Sequence, residues 1–190
     1  MDRLWTPWRY QYVSTAESTR RQGVPPELEA WPGDSDCVFC NMIAAVGHAV
    51  ESGMPVEEAE RAAKILERGP RTFLVLNAYP YSTGHLMVVP YRHLSSLAEL
   101  DRETAHELIE SAQRAEQALR AVYSPHGLNF GMNLGKAAGA GVEAHLHLHG
   151  LPRWAGDTNF MTTVGETRVL PETLDITWER LRPALARSNR

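Results

Sequence analysis

The residues with most chemistry in this sequence are His145, His147 and His149, separated by Leu146 and Leu148 and followed at once by Gly150-Leu151-Pro152-Arg153. Successive side chains of a strand point to opposite faces, so this spacing predicts three imidazoles in a row on one face and two leucines turned into a core. Imidazoles gather for metal binding, proton transfer or nucleophilic attack. A His-x-His pair alone reads most simply as a metal site or as solvated rings, so the stretch needs further evidence before it reads as catalytic.

The only two cysteines, Cys37 and Cys40, stand in C-x-x-C spacing. In a reducing compartment that spacing reads as half of a metal site or a redox pair before it reads as a structural disulfide, and a pair of buried thiols is the remaining reading. A structural zinc takes four ligands, so two more would have to come from elsewhere in the chain.

These groups need elements to position them. Residues 1–35 mix aromatics and prolines (Trp5, Pro7, Trp8, Tyr10, Trp31, Pro32) around a polar middle, which predicts an extended N-terminal arm with little regular structure. Within it Trp5 and Trp8 would dock on a neighbouring subunit, rim an active site or cover the protomer's own core. Residues 36–190 form the main domain, with 44–70 read as a helical insertion. There the stretch 55–68 predicts a helix, with proline in its first turn, early acids, late bases and Gly69-Pro70 as its stop; Val56, Ala59, Ala63 and Leu66 make its apolar stripe.

Residues 72–76 and 85–89 are β-prone runs joined by a turn-rich connection, which predicts an antiparallel pair. Asp101 then caps a long amphipathic helix that closes near Ser124-Pro125. A third strand is expected over 128–134, a loop of small residues over 135–141, the histidine stretch as the next strand, loop or edge strand over 157–170, and a terminal helix over 170–186. The order gives an α+β class, an antiparallel β-sheet flanked by helices.

At 190 residues and 43% hydrophobic content the chain suits one domain with a sizeable core, and its net charge of -4 without a basic stripe argues against a nucleic-acid partner. A small-molecule substrate is the expectation. No apolar run reaches the roughly 18 residues that cross a bilayer and the N-terminus lacks a signal-peptide centre, so no membrane association and a cytoplasmic location are expected.

The stretch His145-Leu146-His147-Leu148-His149-Gly150-Leu151 resembles the signature of the histidine triad (HIT) family of nucleotide hydrolases and transferases. Asn77-x-x-Pro80-x-x-x-Gly84-His85, Asn133-Leu134-Gly135 and Pro152-Arg153 resemble further motifs of that family in the same order. The resemblance runs from Asp36 to about Arg182, interrupted by 44–71. Asp2-Arg3-Leu4-Trp5-Thr6-Pro7, Cys37-Val38-Phe39-Cys40, Pro90-Tyr91-Arg92-His93, and Pro152-Arg153-Trp154 with Gly156-Asp157-Thr158-Asn159-Phe160 are similar to a bacterial subgroup that includes the diadenosine tetraphosphate phosphorylases.

The resemblance implies a HIT-like sheet and a reaction at the α-phosphate of a nucleotide. His147 would attack phosphorus, giving a nucleotidyl-histidine; His149 would support the transition state and leaving group, beside His145, and His85 would steady the triad. Asn77 would contact the ribose, Asn133 a phosphate, and Gly139 and Gly141 would offer backbone N–H groups to phosphate oxygens. Cys37 and Cys40 would share a structural zinc with His93 and His145.

The implied substrate is a dinucleoside polyphosphate such as diadenosine tetraphosphate, split with inorganic phosphate to ADP and ATP. Magnesium, where required, would arrive on the phosphates, since no acidic cluster reads as its site. The alternatives are a hydrolase of dinucleoside polyphosphates or nucleoside phosphoramidates, and, from another class, a non-catalytic nucleotide-binding sensor. A homodimer is implied, or a homotetramer through the arm.

Two positions depart from the family pattern. Gly141 stands where several members carry a hydroxyl or amide side chain, which bears on leaving-group activation and the choice of acceptor. Gly150 stands where a larger apolar residue is usual, which bears on packing.

Overall fold

The computed structural model describes residues 21–159 and 170–188. Trp5 and Trp8, and the 157–170 segment apart from its ends, lie outside the described residues. Within them, strands β1 (Ile65–Arg68), β2 (Thr72–Leu76), β3 (Leu86–Pro90), β4 (Gly127–Gly131) and β5 (Leu148–Arg153) accompany helices α1 (Val38–Glu51), α2 (Val56–Ala62), α3 (Arg102–Tyr123) and α4 (Leu174–Ser188). The strands form one antiparallel sheet in the order β1-β2-β3-β5-β4.

Alternation along the strands divides the core in two. Ile65, Phe73, Val75, Met87 and Val89 face α1 and α2, where they meet Phe39, Ala45, Val46, Ala59 and Ala63. Leu66, Leu74, Leu76, Leu86, Val88 and Leu148 face the other way, onto Leu108, Ala115 and Leu119 of α3 and Trp178, Leu181 and Leu185 of α4.

This division explains why the helix expected over 55–68 stops at Ala62. Lys64 adopts a left-handed conformation (φ 59°), and the chain then enters β1, with Ile65 and Leu66 buried on opposite sides of the sheet. Burying such a side chain is worth about 1.5–3 kcal/mol, whereas helix propensities among ordinary residues differ by at most about 0.7 kcal/mol each. Sheet pairing wins, and Val56, placed in the expected apolar stripe, is 50% exposed.

Further boundaries differ from expectation. The Cys-x-x-C runs directly into α1, so the 44–70 segment comprises the end of that helix, α2 and a strand of the sheet. The third expected strand ends at Gly131, leaving Asn133 in the following loop, and the terminal helix starts at Leu174. Strand β5 begins only at Leu148: His145 and His147 precede it, on a stretch held by the Leu146 N–H donating to the Leu94 carbonyl at 2.7 Å. Helix α3 follows its signals, with the Asp101 carboxylate accepting the Thr104 N–H at 2.8 Å and Ser124 left-handed at its end.

The described part of the arm is fastened to α1. Val24 and Leu28 are buried in the core over that helix, and a short 3-10 turn spans Pro26–Leu28. The buried Asn41 donates to the Gln22 carbonyl at 2.9 Å and to Asp34 at 2.9 Å, and accepts the Ser35 N–H at 2.7 Å. Gly23 (φ +82°) passes so close that a Cβ there would lie 2.0 Å from the Val38 carbonyl oxygen.

Candidate active site

Cys37 occupies the N-cap position of α1 and Cys40 follows within its first turn, a spacing that brings both thiols to one side. Facing them are the imidazoles of His93, after β3, and His145. Cys37 Sγ lies 3.3 Å and Cys40 Sγ 3.7 Å from His145 Nδ1, and Cys40 Sγ lies 3.4 Å from His93 Nδ1. All four donor atoms fall within 4.8 Å of one another. Ligands of a tetrahedral zinc, at about 2.3 Å for sulfur and 2.0–2.1 Å for nitrogen, stand about 3.5 Å apart, so this donor set suits a closed four-coordinate site.

The tautomer of His145 also fits. Its Nε2–H donates to the Pro90 carbonyl at 2.9 Å, which leaves the Nδ1 lone pair toward the cysteines. Burial, reinforced by the neighbouring His93 and His147, pushes His145 down to about 4 against the pull of that carbonyl, so the ring is neutral at neutral pH. The first histidine of the row thus turns to the cysteine cluster.

The middle histidine is prepared differently. The Nδ1–H of His147 donates to the His145 backbone carbonyl at 2.8 Å, and burial holds its pKa below the ordinary imidazole value. A neutral ring with Nδ1–H engaged carries its lone pair on Nε2, the form in which imidazole attacks an electrophile. Phe39, one of the two residues between the cysteines, packs its ring 5.3 Å from both the His145 and His147 rings.

The third histidine joins a hydrogen-bonded chain. The Tyr81 N–H donates to His85 Nδ1 at 3.1 Å, so neutral His85 bears its proton on Nε2 and donates it to His149 Nδ1 at 2.9 Å. Neutral His149 then carries its own proton on Nε2, on a ring 4.8 Å from that of His147. The Tyr81 ring covers the pair, 4.7 Å from His85 and 6.1 Å from His149. Its aromatic character in the turn was the available signal, but the backbone donation that sets the tautomer has no sequence signature.

The other expected site residues are placed unevenly. Asn77 lies beside His85, with Nδ2 3.4 Å from His85 Nε2, while its Oδ1 accepts the Tyr79 N–H at 2.9 Å, so a turn-capping role coexists with nearness to the site. Asn133 is half-buried in the β4–β5 loop and makes no side-chain hydrogen bond among the described residues. Gly139 (φ +89°) closes a short turn by donating its N–H to the Lys136 carbonyl at 3.0 Å, so phosphate binding through that N–H would require the turn to open. Gly141 lies exposed further along the loop. At Gly150 the missing side chain is replaced from its surroundings: a Cβ there would lie 2.8 Å from the Phe130 ring and 3.0 Å from Leu86.

The HIT domain profile matches residues 58–156, and the chain is 37% identical over 174 residues to the AP-4-A phosphorylase of Mycobacterium tuberculosis strain H37Rv, spanning 92% of this chain and 79% of that protein. The chain belongs to the HIT domain family. Among solved HIT structures, a Zn-bound histidine triad family protein from Mycobacterium smegmatis superposes with a TM-score of 0.58 at 28% identity, covering 80% of this chain and 95% of that one. A hypothetical histidine triad nucleotide-binding protein, ST2152 from Sulfolobus tokodaii strain7, shares the fold, with a TM-score of 0.60 at 24% identity over 81% of this chain and 95% of that one. The row of histidines lies within the matched stretch and is divided between a cysteine-histidine cluster, a middle imidazole fixed through Nδ1 and a hydrogen-bonded chain through His85. No helix among the described residues is long and apolar enough to cross a membrane.

Proposed function

We propose that this HIT protein is a dinucleoside polyphosphate phosphorylase that converts diadenosine tetraphosphate and inorganic phosphate to ADP and ATP. The observation that carries the reading is the His147 imidazole, neutral and fixed through Nδ1 on the His145 carbonyl, in a chain 37% identical over most of its length to an AP-4-A phosphorylase.

His147 Nε2 attacks the α-phosphorus, a P–N bond forms, and the bond from that phosphorus to the bridging oxygen of the triphosphate breaks. His149, held by His85, donates its Nε2–H to the departing oxygen. Inorganic phosphate then attacks the adenylyl-His147, the P–N bond breaks, and ADP leaves with His147 restored. Asn77, Asn133 and the loop bearing Gly139 and Gly141 contact the ribose and phosphates. Magnesium, where needed, accompanies the substrate.

Cys37, Cys40, His93 and His145 hold a zinc ion, supported by their donor set and mutual distances. When bound it supplies structure, tying α1 to the stretch before β5. The open edge of β4, with Phe130 exposed, supports pairing into a homodimer, to which the arm of residues 1–35 would add contacts for a tetramer, and a cytoplasmic location is part of the same reading.

Gly141 favours a second reading, hydrolysis, because a loop without a side-chain donor there offers nothing in that position to select phosphate over water. Product analysis with diadenosine tetraphosphate and magnesium separates the two: ADP and ATP formed only with phosphate supports the phosphorylase, and AMP and ATP formed regardless of phosphate supports the hydrolase.

A further inference from the structure

A polyphosphate chain carries about one negative charge per phosphate. The segments that carry the candidate catalytic and nucleotide-contacting residues (77–85 and 132–149) contain one lysine or arginine between them, Lys136. It is exposed and opens the turn Lys136–Ala138, which is bracketed by two glycines at positive φ, Gly135 (+81°) and Gly139 (+89°).

The loop that carries it spans the triad end of the sheet. It leaves β4 at Gly131, whose register partner on β5 is His149. It returns through Val142, which packs on the core cluster containing Phe39, and so reaches His145. Along the chain, Lys136 is therefore midway between the departure from β4 and the return at Val142.

Several basic residues elsewhere are paired with acids. Lys64 meets Asp175 at 2.8 Å, Arg92 meets Asp101 at 2.9 Å, and Arg153 holds Asp157 through two contacts at 2.6 and 2.9 Å. Lys136 makes no ion pair among the described residues, and Glu143, the other charged residue of its loop, is likewise in none. An ammonium on a flexible four-carbon stem can follow a mobile phosphate chain without a fixed partner geometry. Beside Gly141, which offers no side-chain donor, it is the loop's one lysine or arginine.

We propose that Lys136 is a binding residue for the polyphosphate chain, its ammonium engaging the phosphates beyond the scissile bond and selecting substrates that possess them. This rests on the dinucleoside polyphosphate reading of the site. Lys136→Met and Lys136→Arg, both at an exposed position, are compared with the wild type in two assays. The first is calorimetric binding of inorganic tripolyphosphate. The second is kcat/KM on diadenosine tetraphosphate and on adenosine 5′-phosphoramidate, which has no phosphate beyond the α position.

Lys136→Met should weaken tripolyphosphate binding and lower kcat/KM on the tetraphosphate about 10- to 100-fold, chiefly through KM, the effect of one charged hydrogen bond. The phosphoramidate should change less than about 3-fold, and Lys136→Arg should retain most of the binding. Equal tripolyphosphate binding by wild type and Lys136→Met, or equal losses on both nucleotides, would overturn the role of Lys136. A wild type inactive on the tetraphosphate whose tripolyphosphate binding still falls in Lys136→Met would overturn the substrate reading while supporting the lysine as a polyphosphate site.

Discussion

The backbone carbonyl of His145 accepts the Nδ1–H of His147 at 2.8 Å while the side chain of the same His145 places Nδ1 3.3 Å from Cys37 Sγ. One residue therefore joins the cysteine cluster to the orientation of the middle histidine. Because β5 starts only at Leu148, the sheet ladder does not hold His147, and the cluster, Phe39 and the Leu94 carbonyl do so instead.

This coupling predicts what metal removal does. Burial, then the adjacent Cys37 thiol, push Cys40 up to about 11, so zinc uptake by the chelator-treated protein should release protons, measured as a buffer-dependent binding enthalpy. Metal analysis should find roughly one zinc per chain in the wild type and none in Cys40→Ser, whose Tm should fall by more than about 5 °C.

The relay makes a prediction that depends on the leaving group. His85→Ala removes the donor to His149 Nδ1 and should lower kcat about 10- to 100-fold on diadenosine tetraphosphate. An adenylyl ester with a nitrophenolate leaving group, which departs without a proton, should lose much less. Equal losses on both substrates would assign His85 a structural role alone.

Much of this site was legible in the sequence, for reasons that vary by residue. The His-x-His-x-His spacing and the Asp101 cap are local signals, and local physics decides them. The Cys37–Cys40–His93–His145 grouping came from the family resemblance, since spacing alone gave only half a site. The strand at Ile65–Arg68 was hidden because its residues also form good helices and only pairing with β2 reveals it. Phe39, Tyr81 and the Pro90 carbonyl act through tertiary contacts that a one-dimensional pattern does not encode.

The cap on α3 gives a pH signature. The Thr104 N–H and hydroxyl, with Arg92 and Arg71 nearby, hold Asp101 at about 2, below its ordinary 3.8. A carboxyl depressed in the folded state stabilises above its unfolded pKa and loses that contribution as pH falls through the folded one. Asp101→Asn should therefore melt below the wild type at pH 7, the gap closing between about pH 4 and 2. A gap that persists at pH 2 would mean that the charge is not what stabilises the cap.

Gly150 answers to Phe130. Gly150→Val should destabilise by about 1–3 kcal/mol through overpacking, because its side chain meets the Phe130 ring and Leu86. In a Phe130→Ala background the cost should shrink, as read from denaturant midpoints. Equal costs in both backgrounds would place the strain elsewhere.

The most direct test of the function is capture of the intermediate. Acid-quenched mixtures of enzyme and diadenosine tetraphosphate without phosphate, mapped by peptide mass spectrometry, should carry an adenylyl group on His147. His147→Ala should show neither the adduct nor turnover above about a thousandth of wild type. An adduct on another residue, or undiminished turnover by His147→Ala, would contradict the assignment of His147 as the nucleophile.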